Sequence, residues 1–219
     1  LCPASDGYPH ARCFGAVWGT DSVTTEVLLD TNTYLRLAKR IRPAVGRQFG
    51  QVPYVVVILK AVEDEVHRSP KLKFHNPWFD EPEFSQERLA KQKKLTSEDK
   101  AAMSLVQSVL LGMVQMEVDR YTSHGRQPPG ATDCWLLAYA QVKNAVVVTD
   151  DLGMHTLAAE AGLKVWHGFE LLAKLKTAKV VNNDLVREIY DALERNGDLT
   201  QTWIQARRSE FSRIFGSEP

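Results

Sequence analysis

The chain has 219 residues, 44% hydrophobic and 25% charged, with Lys plus Arg and Asp plus Glu balanced at 27 each and a formal net charge of zero. That size suits one domain with appendages, and the charge balance removes any argument for nucleic acid from overall charge, so a basic surface has to be local. Three cysteines, Cys2, Cys13 and Cys134, without C-x-x-C spacing, argue against a disulfide framework or a zinc site and fit a reducing cytoplasm. No apolar run approaches the roughly 20 residues of a membrane span, so no membrane is expected.

Residues 1–22 carry Pro3, Gly7, Pro9, Gly15 and Gly19 without periodicity and read as an irregular lead-in. They lack a basic start and an apolar stretch, so they do not read as a signal peptide. The numbered chain begins at Leu1 and its first methionine is Met103, as expected of a fragment or a non-standard start.

The organised part opens with Val27–Leu29, a short apolar run suited to a strand buried on both faces, followed by Asp30-Thr31-Asn32-Thr33, which favours a helix N-terminus. From Tyr34 to Arg42, Leu35, Ala38 and Ile41 recur at helical spacing, with Pro43 as the limit. Val52–Leu59 is β-branched and has Pro53 at its start, where a strand tolerates one. The period then changes at Leu59, Val62 and Val66, so this strand feeds into a helix whose start carries Glu63, Asp64 and Glu65, charges that an N-terminus favours.

Ser69–Pro82, with Pro70, Pro77, Phe74, Trp78 and Phe79, reads as an ordered loop anchored by aromatics, and residues 83–95 as a charged helix. Thr96 then caps a long helix through Ala102, Leu105, Val109 and Met113. After a glycine- and proline-containing loop at His124–Gly130, Thr132-Asp133 starts another helix, which leads into the strand Val146–Thr149 and the pair Asp150-Asp151. A short helix over Gly153–Gly162, a strand at Leu163–Trp166 and a helix at Phe169–Leu175 follow, an alternation that predicts parallel crossovers. Beyond Asn182 the pattern is wholly helical.

Two apolar strands thus end in acids, Asp30 and Asp150-Asp151, while Asp133 opens the helix that leads into the second strand. The carboxyl ends of parallel strands share one crevice, so these acids can converge although far apart in sequence. Carboxylates without His or Cys clusters favour magnesium or manganese, and a cation relieves the repulsion that would otherwise keep one acid protonated. Each acid alone reads equally well as a helix cap or turn residue, and the functional case rests on the combination. Cys134 reads as a small buried residue, and the histidines show no metal-ligand spacing.

The stretch Leu28-Leu29-Asp30-Thr31-Asn32 resembles the first motif of PIN-domain nucleases. Asp133-Cys134-Trp135-Leu136-Leu137-Ala138-Tyr139-Ala140 is similar to their acid-led helix, and Val146–Met154 with Gly162–Val165 to their fourth-strand motif. The match runs over residues 26–176. It implies an α/β, PIN-like three-layer fold: a central parallel sheet of about four or five strands flanked by helices over residues 23–180. Residues 181–219 would form a helical C-terminal extension packed on it.

The resemblance also implies a metal-dependent endoribonuclease that hydrolyses phosphodiester bonds of single-stranded RNA. Asp30, Glu65, Asp133 and Asp151 are then catalytic and would hold one or two Mg2+ or Mn2+ ions that activate water and stabilise the leaving oxygen. Glu65 competes with Glu63 for the second position. Asn32, Thr149 and Asp150 fall in supporting places. Arg36, Lys39 and Arg40 on the first helix, and Lys91, Lys93 and Lys94, are candidates for RNA contact, although a solvated helix face is the better reading of each group from the sequence. Trp78 and Phe79 are equally readable as base-stacking or loop-anchoring residues. Expected partners are single-stranded or structured RNA, a protein antitoxin if the chain is the toxin of a pair, and a second copy in a homo-oligomer. The long 69–95 segment and the C-terminal extension exceed the compact toxin pattern. The alternative is a catalytically inactive PIN-like module that binds RNA or acts as a scaffold. A magnesium-dependent phosphatase is disfavoured, because Asp30 is followed by Thr31 and Asn32 and no D-x-D motif is formed.

Overall fold

The computed structural model of the chain describes residues 24–122 and 127–216. The lead-in at 1–22, with Cys2 and Cys13, and His124 lie outside the described residues.

The first apolar run forms β1 (Thr25–Leu29), with Val27 and Leu28 wholly buried, which is what a strand flanked on both sides and covered on both faces requires. The backbone leaves the strand at Asp30, still extended, and enters α1 (Thr31–Leu37), with the Asp30 carboxylate accepting from the Thr33 amide as its N-cap. This helix is shorter than the Tyr34–Arg42 periodicity predicts. Pro43 sits inside a separate 3-10 turn at Arg42–Ala44, so the later apolar positions, Ile41 and Ala44, are buried without belonging to α1. A two-residue β2 (Gln48–Phe49) follows, which no sequence signal marks.

β3 (Tyr54–Leu59) passes without a loop into α2 (Lys60–Arg68). The Ser69–Pro82 segment, expected as a loop, is largely helical: Ser69 caps α3 (Pro70–His75), a 3-10 turn spans Pro77–Asp80, and Pro82 starts α4 (Pro82–Lys91). Each proline stands in the first turn of its helix, where the missing N–H costs nothing, so residues that read as loop punctuation here start helices. Phe79 is fully buried and anchors this segment, whereas Trp78 is half-buried. Chain then adds β4 (Gln92–Lys93) before the capping box of Thr96 and Asp99 starts α5 (Ser97–Met116).

After α6 (Val118–Tyr121), α7 (Ala131–Lys143) begins with Asp133 in its first turn and ends at Asn144, whose φ of 50° is the left-handed conformation that asparagine tolerates. The final crossovers are β5 (Val146–Val148), α8 (Leu152–Glu160), β6 (Val165–Trp166) and α9 (Gly168–Thr177). The extension is α10 (Asn183–Arg195), α11 (Gln201–Arg208) and α12 (Ser212–Phe215). Its buried Val186, Ile189, Tyr190, Trp203 and Phe211 belong to the same apolar core as β1 and β5.

The sheet runs β2-β3-β1-β5-β6, with β4 beside β3; all pairings are parallel except β2 with β3. It is a mostly parallel α/β sheet flanked by helices, with one more strand than the about four or five implied by the resemblance. Connections leave β1 toward β3 on one side and β5 toward β6 on the other. The order therefore reverses between β1 and β5, the place where open α/β sheets form a crevice at the carboxyl ends of their strands. Among the described residues no helix is long and apolar enough to cross a membrane.

Candidate acidic site

β1 and β5 are in register with Leu29 opposite Val148, and the Asp30 amide continues the ladder to the Val148 carbonyl at 3.0 Å. Asp30 and Thr149 therefore leave the sheet side by side. The Thr149 hydroxyl donates to Asp30 Oδ2 at 2.5 Å, while the other Asp30 oxygen accepts from the Thr33 amide, also at 2.5 Å. Asp30 is 3% exposed, and burial pushes its carboxyl up against the opposing pull of these two bonds.

Asp151 caps α8 through the Met154 amide at 3.0 Å, and its own amide donates to Thr149 Oγ1 at 3.0 Å. Thr149 thus ties two of the predicted acids to one hydroxyl. The half-buried His155 ring holds the Thr149 carbonyl at 2.9 Å, and burial pushes its imidazole down, so it acts as a neutral donor. Gly153 is required as the second residue of α8: a Cβ there would meet the Tyr121 carbonyl at 2.2 Å.

Glu65 arrives from α2. Its Oε2 accepts from the Thr31 hydroxyl at 2.7 Å, directly beside Asp30 in the chain. Glu63, its competitor, is buried at 4% exposure on the other side of the helix, accepting from Tyr34 and Arg88, each at 3.0 Å. A two-residue offset on a helix turns side chains about 200° apart, which separates a structural glutamate from one facing the crevice.

Asp133 completes the set from the first turn of α7, with one oxygen accepting from the Gly130 amide at 2.8 Å. Its carboxyl is pushed up to about 7, first by burial and then by the negative charges of Asp30, Glu65 and Asp151, against the Gly130 bond. Asp133 thus feels the charge of the other three predicted acids, which come from three other chain segments. Glu65, Asp133 and Asp151 are half-buried, whereas Asp30 is buried. Among the described residues, Glu65 Oε1, Asp133 Oδ1 and Asp151 Oδ2 accept no hydrogen bond. Also among the described residues, no three His, Cys, Asp or Glu side chains are gathered closely enough to hold a metal ion as they stand.

Asp150 faces elsewhere. It accepts from the Trp203 indole at 2.8 Å and the Gly168 amide at 3.1 Å, with Arg36 Nη1 and His167 Nδ1 each at 3.5 Å. Burial pushes this carboxyl up, but the contacts from His167, Trp203 and Gly168 and the Arg36 charge outweigh it and hold the group below the ordinary carboxylate range. The sequence marks Asp150 as a neighbour of Asp151. Its role as the anchor of α11 has no local signal, because Trp203 is 53 residues away.

The remaining predicted residues scatter. Asn32 is exposed at the mouth of α1, and Arg36 is paired with Asp150 and Asp198. Arg40 is paired with Glu188, Lys91 with Glu87 and Lys93 with Glu26. Lys39 lies 5.5 Å over the Phe84 ring and Lys94 is exposed; neither has an anionic partner among the described residues. Cys134 is wholly buried and its thiol is pushed up to about 12 by burial, consistent with an inert core residue.

No family model matches the sequence. No curated protein matches it. Among solved structures, the chain is similar to the VapBC-1 structure from nontypeable Haemophilus influenzae, at 14% identity with a TM-score of 0.41, over 66% of this chain and 99% of that one. It is also similar to VapBC2 from Rickettsia felis, solved bound to a DNA fragment from their promoter, at 14% identity with a TM-score of 0.40, over 65% of this chain and 98% of that one.

Proposed function

We propose that the chain is a divalent-metal-dependent hydrolase that cleaves phosphodiester bonds of single-stranded RNA. The observation that carries this reading is geometric: at the adjacent carboxyl ends of β1 and β5 the Thr149 hydroxyl joins the Asp30 carboxylate to the Asp151 amide, and Glu65 is held by Thr31, the residue after Asp30.

The donor set fits a hard divalent cation by chemistry. All donors are oxygen, three carboxylates keep an uncommitted oxygen among the described residues, and their mutual repulsion is what a cation relieves. Asp30, Glu65, Asp133 and Asp151 would hold magnesium or manganese. When bound, the ion supplies activation of water and charge stabilisation at the phosphoryl group.

The chain's own residues do the rest. Thr149 and the Thr33 amide fix Asp30 in one rotamer, so the least accessible acid is preorganised. Thr31 orients Glu65, and the Met154 amide orients Asp151. The Gly130 amide orients Asp133 through one carboxylate oxygen.

The test is cleavage of a single-stranded RNA with manganese or magnesium by Asp30→Asn and Asp133→Asn variants, with circular dichroism to confirm folding. Both variants should lose cleavage while keeping the wild-type spectrum, and undiminished cleavage by either removes the mechanism. Wild-type protein that binds RNA but never cuts it with either ion makes the chain a binding module.

A further inference from the structure

A groove of about 520 Å³ is lined by α1 and the residues just after it, the 72–78 segment and α10 with the residues just after it. Asn32, which lines the groove, lies two residues after Asp30 in the chain, at the start of α1. Three cations, Arg36, Lys39 and Arg40, line it against one acid, Asp198. Arg36 and Arg40 are already paired, with Asp198 and Glu188 respectively, but Lys39 has no anionic partner among the described residues.

The chemistry of the lining is mixed in a particular way. Trp78 is half-buried: its ring meets Phe84 edge-on at 5.8 Å and Phe79 at 6.0 Å, while the same residue lines the groove. An aromatic ring fixed by other aromatics and partly open is a platform for a planar ligand, and base stacking on such rings is insensitive to sequence. Asn32 and Asn196 offer amides able to donate and accept toward a base edge or a ribose hydroxyl. Lys39 and the exposed His75 supply positive or donor groups for a phosphate.

We propose that this groove is a nucleotide subsite of the same single-stranded RNA substrate, in which one unpaired base stacks on Trp78 and a neighbouring phosphate meets Lys39. The proposal rests on the RNA reading of the acidic site. It assigns substrate positioning to the 72–78 segment and to α10, two elements that the acids themselves do not require.

Binding is measured without catalysis, by fluorescence anisotropy of a labelled ten-nucleotide RNA in EDTA, for wild type, Lys39→Gln, Trp78→Leu and Asn196→Ala. The leucine keeps an apolar side chain against Phe79 and Phe84, and circular dichroism verifies each fold. Trp78→Leu should weaken binding about tenfold or more, the scale of one lost stacking contact, and Lys39→Gln should reduce the salt dependence of binding. A 5-iodouridine RNA irradiated with the wild type should crosslink within residues 72–78. Unchanged affinity in Trp78→Leu together with crosslinks elsewhere overturns the subsite. Equal affinity of all proteins for the same sequence as single-stranded DNA, with no loss in the variants, also overturns it. Loss of binding in these variants, in a protein that does not cleave RNA, retains the subsite and removes the nuclease reading instead.

Discussion

The hydroxyl of Thr149 donates to Asp30 at 2.5 Å and accepts from the Asp151 amide at 3.0 Å, so one buried side chain couples the ends of β1 and β5. Thr149→Val keeps the shape and removes both bonds, leaving a buried carboxylate oxygen and an amide without their partner. The expected cost is about 1–3 kcal/mol of stability together with reduced cleavage. Thr149→Ser restores the hydroxyl and should recover most of both. Urea denaturation of the two variants decides the matter, and a serine variant as unstable as the valine one would show that packing of the methyl group dominates.

The raised Asp133 carboxyl makes a prediction about pH. Its folded value, about 7, lies above the ordinary unfolded value, so between roughly pH 4 and pH 7 the folded chain binds more protons than the unfolded one. Stability contributed by the protonated group is fully present below the unfolded value and is lost as pH rises through about 7. Since the residue is half-buried, the loss should be on the order of 1–2 kcal/mol. In EDTA, melting temperature should fall from pH 5 to pH 8 in the wild type and fall less in Asp133→Asn. Adding manganese at pH 8 should raise the wild-type melting temperature more than that of the variant, because a ligand of the native state stabilises by mass action.

Glu63 and Glu65 should separate by phenotype. Glu63→Gln leaves the Arg88 guanidinium, 6% exposed, without its carboxylate, which should cost about 3 kcal/mol or more. Glu65→Gln changes a half-buried group bonded to one hydroxyl, so stability should move by less than about 1 kcal/mol while metal-dependent cleavage is lost. Thermal melts and cleavage assays on both variants read this out; a stable, inactive Glu63→Gln would reverse the assignment.

Trp203→Phe removes the indole donor from Asp150 and leaves a buried carboxylate oxygen with one partner fewer. A loss of about 1.5–3 kcal/mol is expected, the range for hydrogen bonds to charged groups. Gly168→Ala should destabilise the same joint, since its Cβ would stand 2.8 Å from Trp203 Cζ2 and 3.2 Å from Asp150 Oδ2. Hydrogen exchange should then report loosening of α11 before the sheet, and uniform protection in Trp203→Phe would show that the extension does not depend on this anchor.

Where local chemistry is decisive, the sequence alone determined the outcome. The apolar runs of β1, β3 and β5, the Asp30 and Thr96 caps, the change of period at Leu59 and the helices after Asn182 all stand where alternation, capping and helical spacing put them. The places of Asp30 and Asp151 as caps and of Asp133 in the first turn of α7 follow for the same reason: an acid that ends a buried strand or opens a buried helix is a local pattern. The helical 70–91 region was misread because proline marks both loops and first helical turns, and residue type does not distinguish them. β2 and β4, at two residues each, are too short to show any period, and exist because β3 offers them a partner. The choice between Glu63 and Glu65, the pairing of Asp150 with Trp203 and the groove over α1 depend on contacts across 25, 53 and more residues. Only the tertiary fold decides these, because hydrogen bonding and desolvation act through space and leave no trace in the spacing of a single segment.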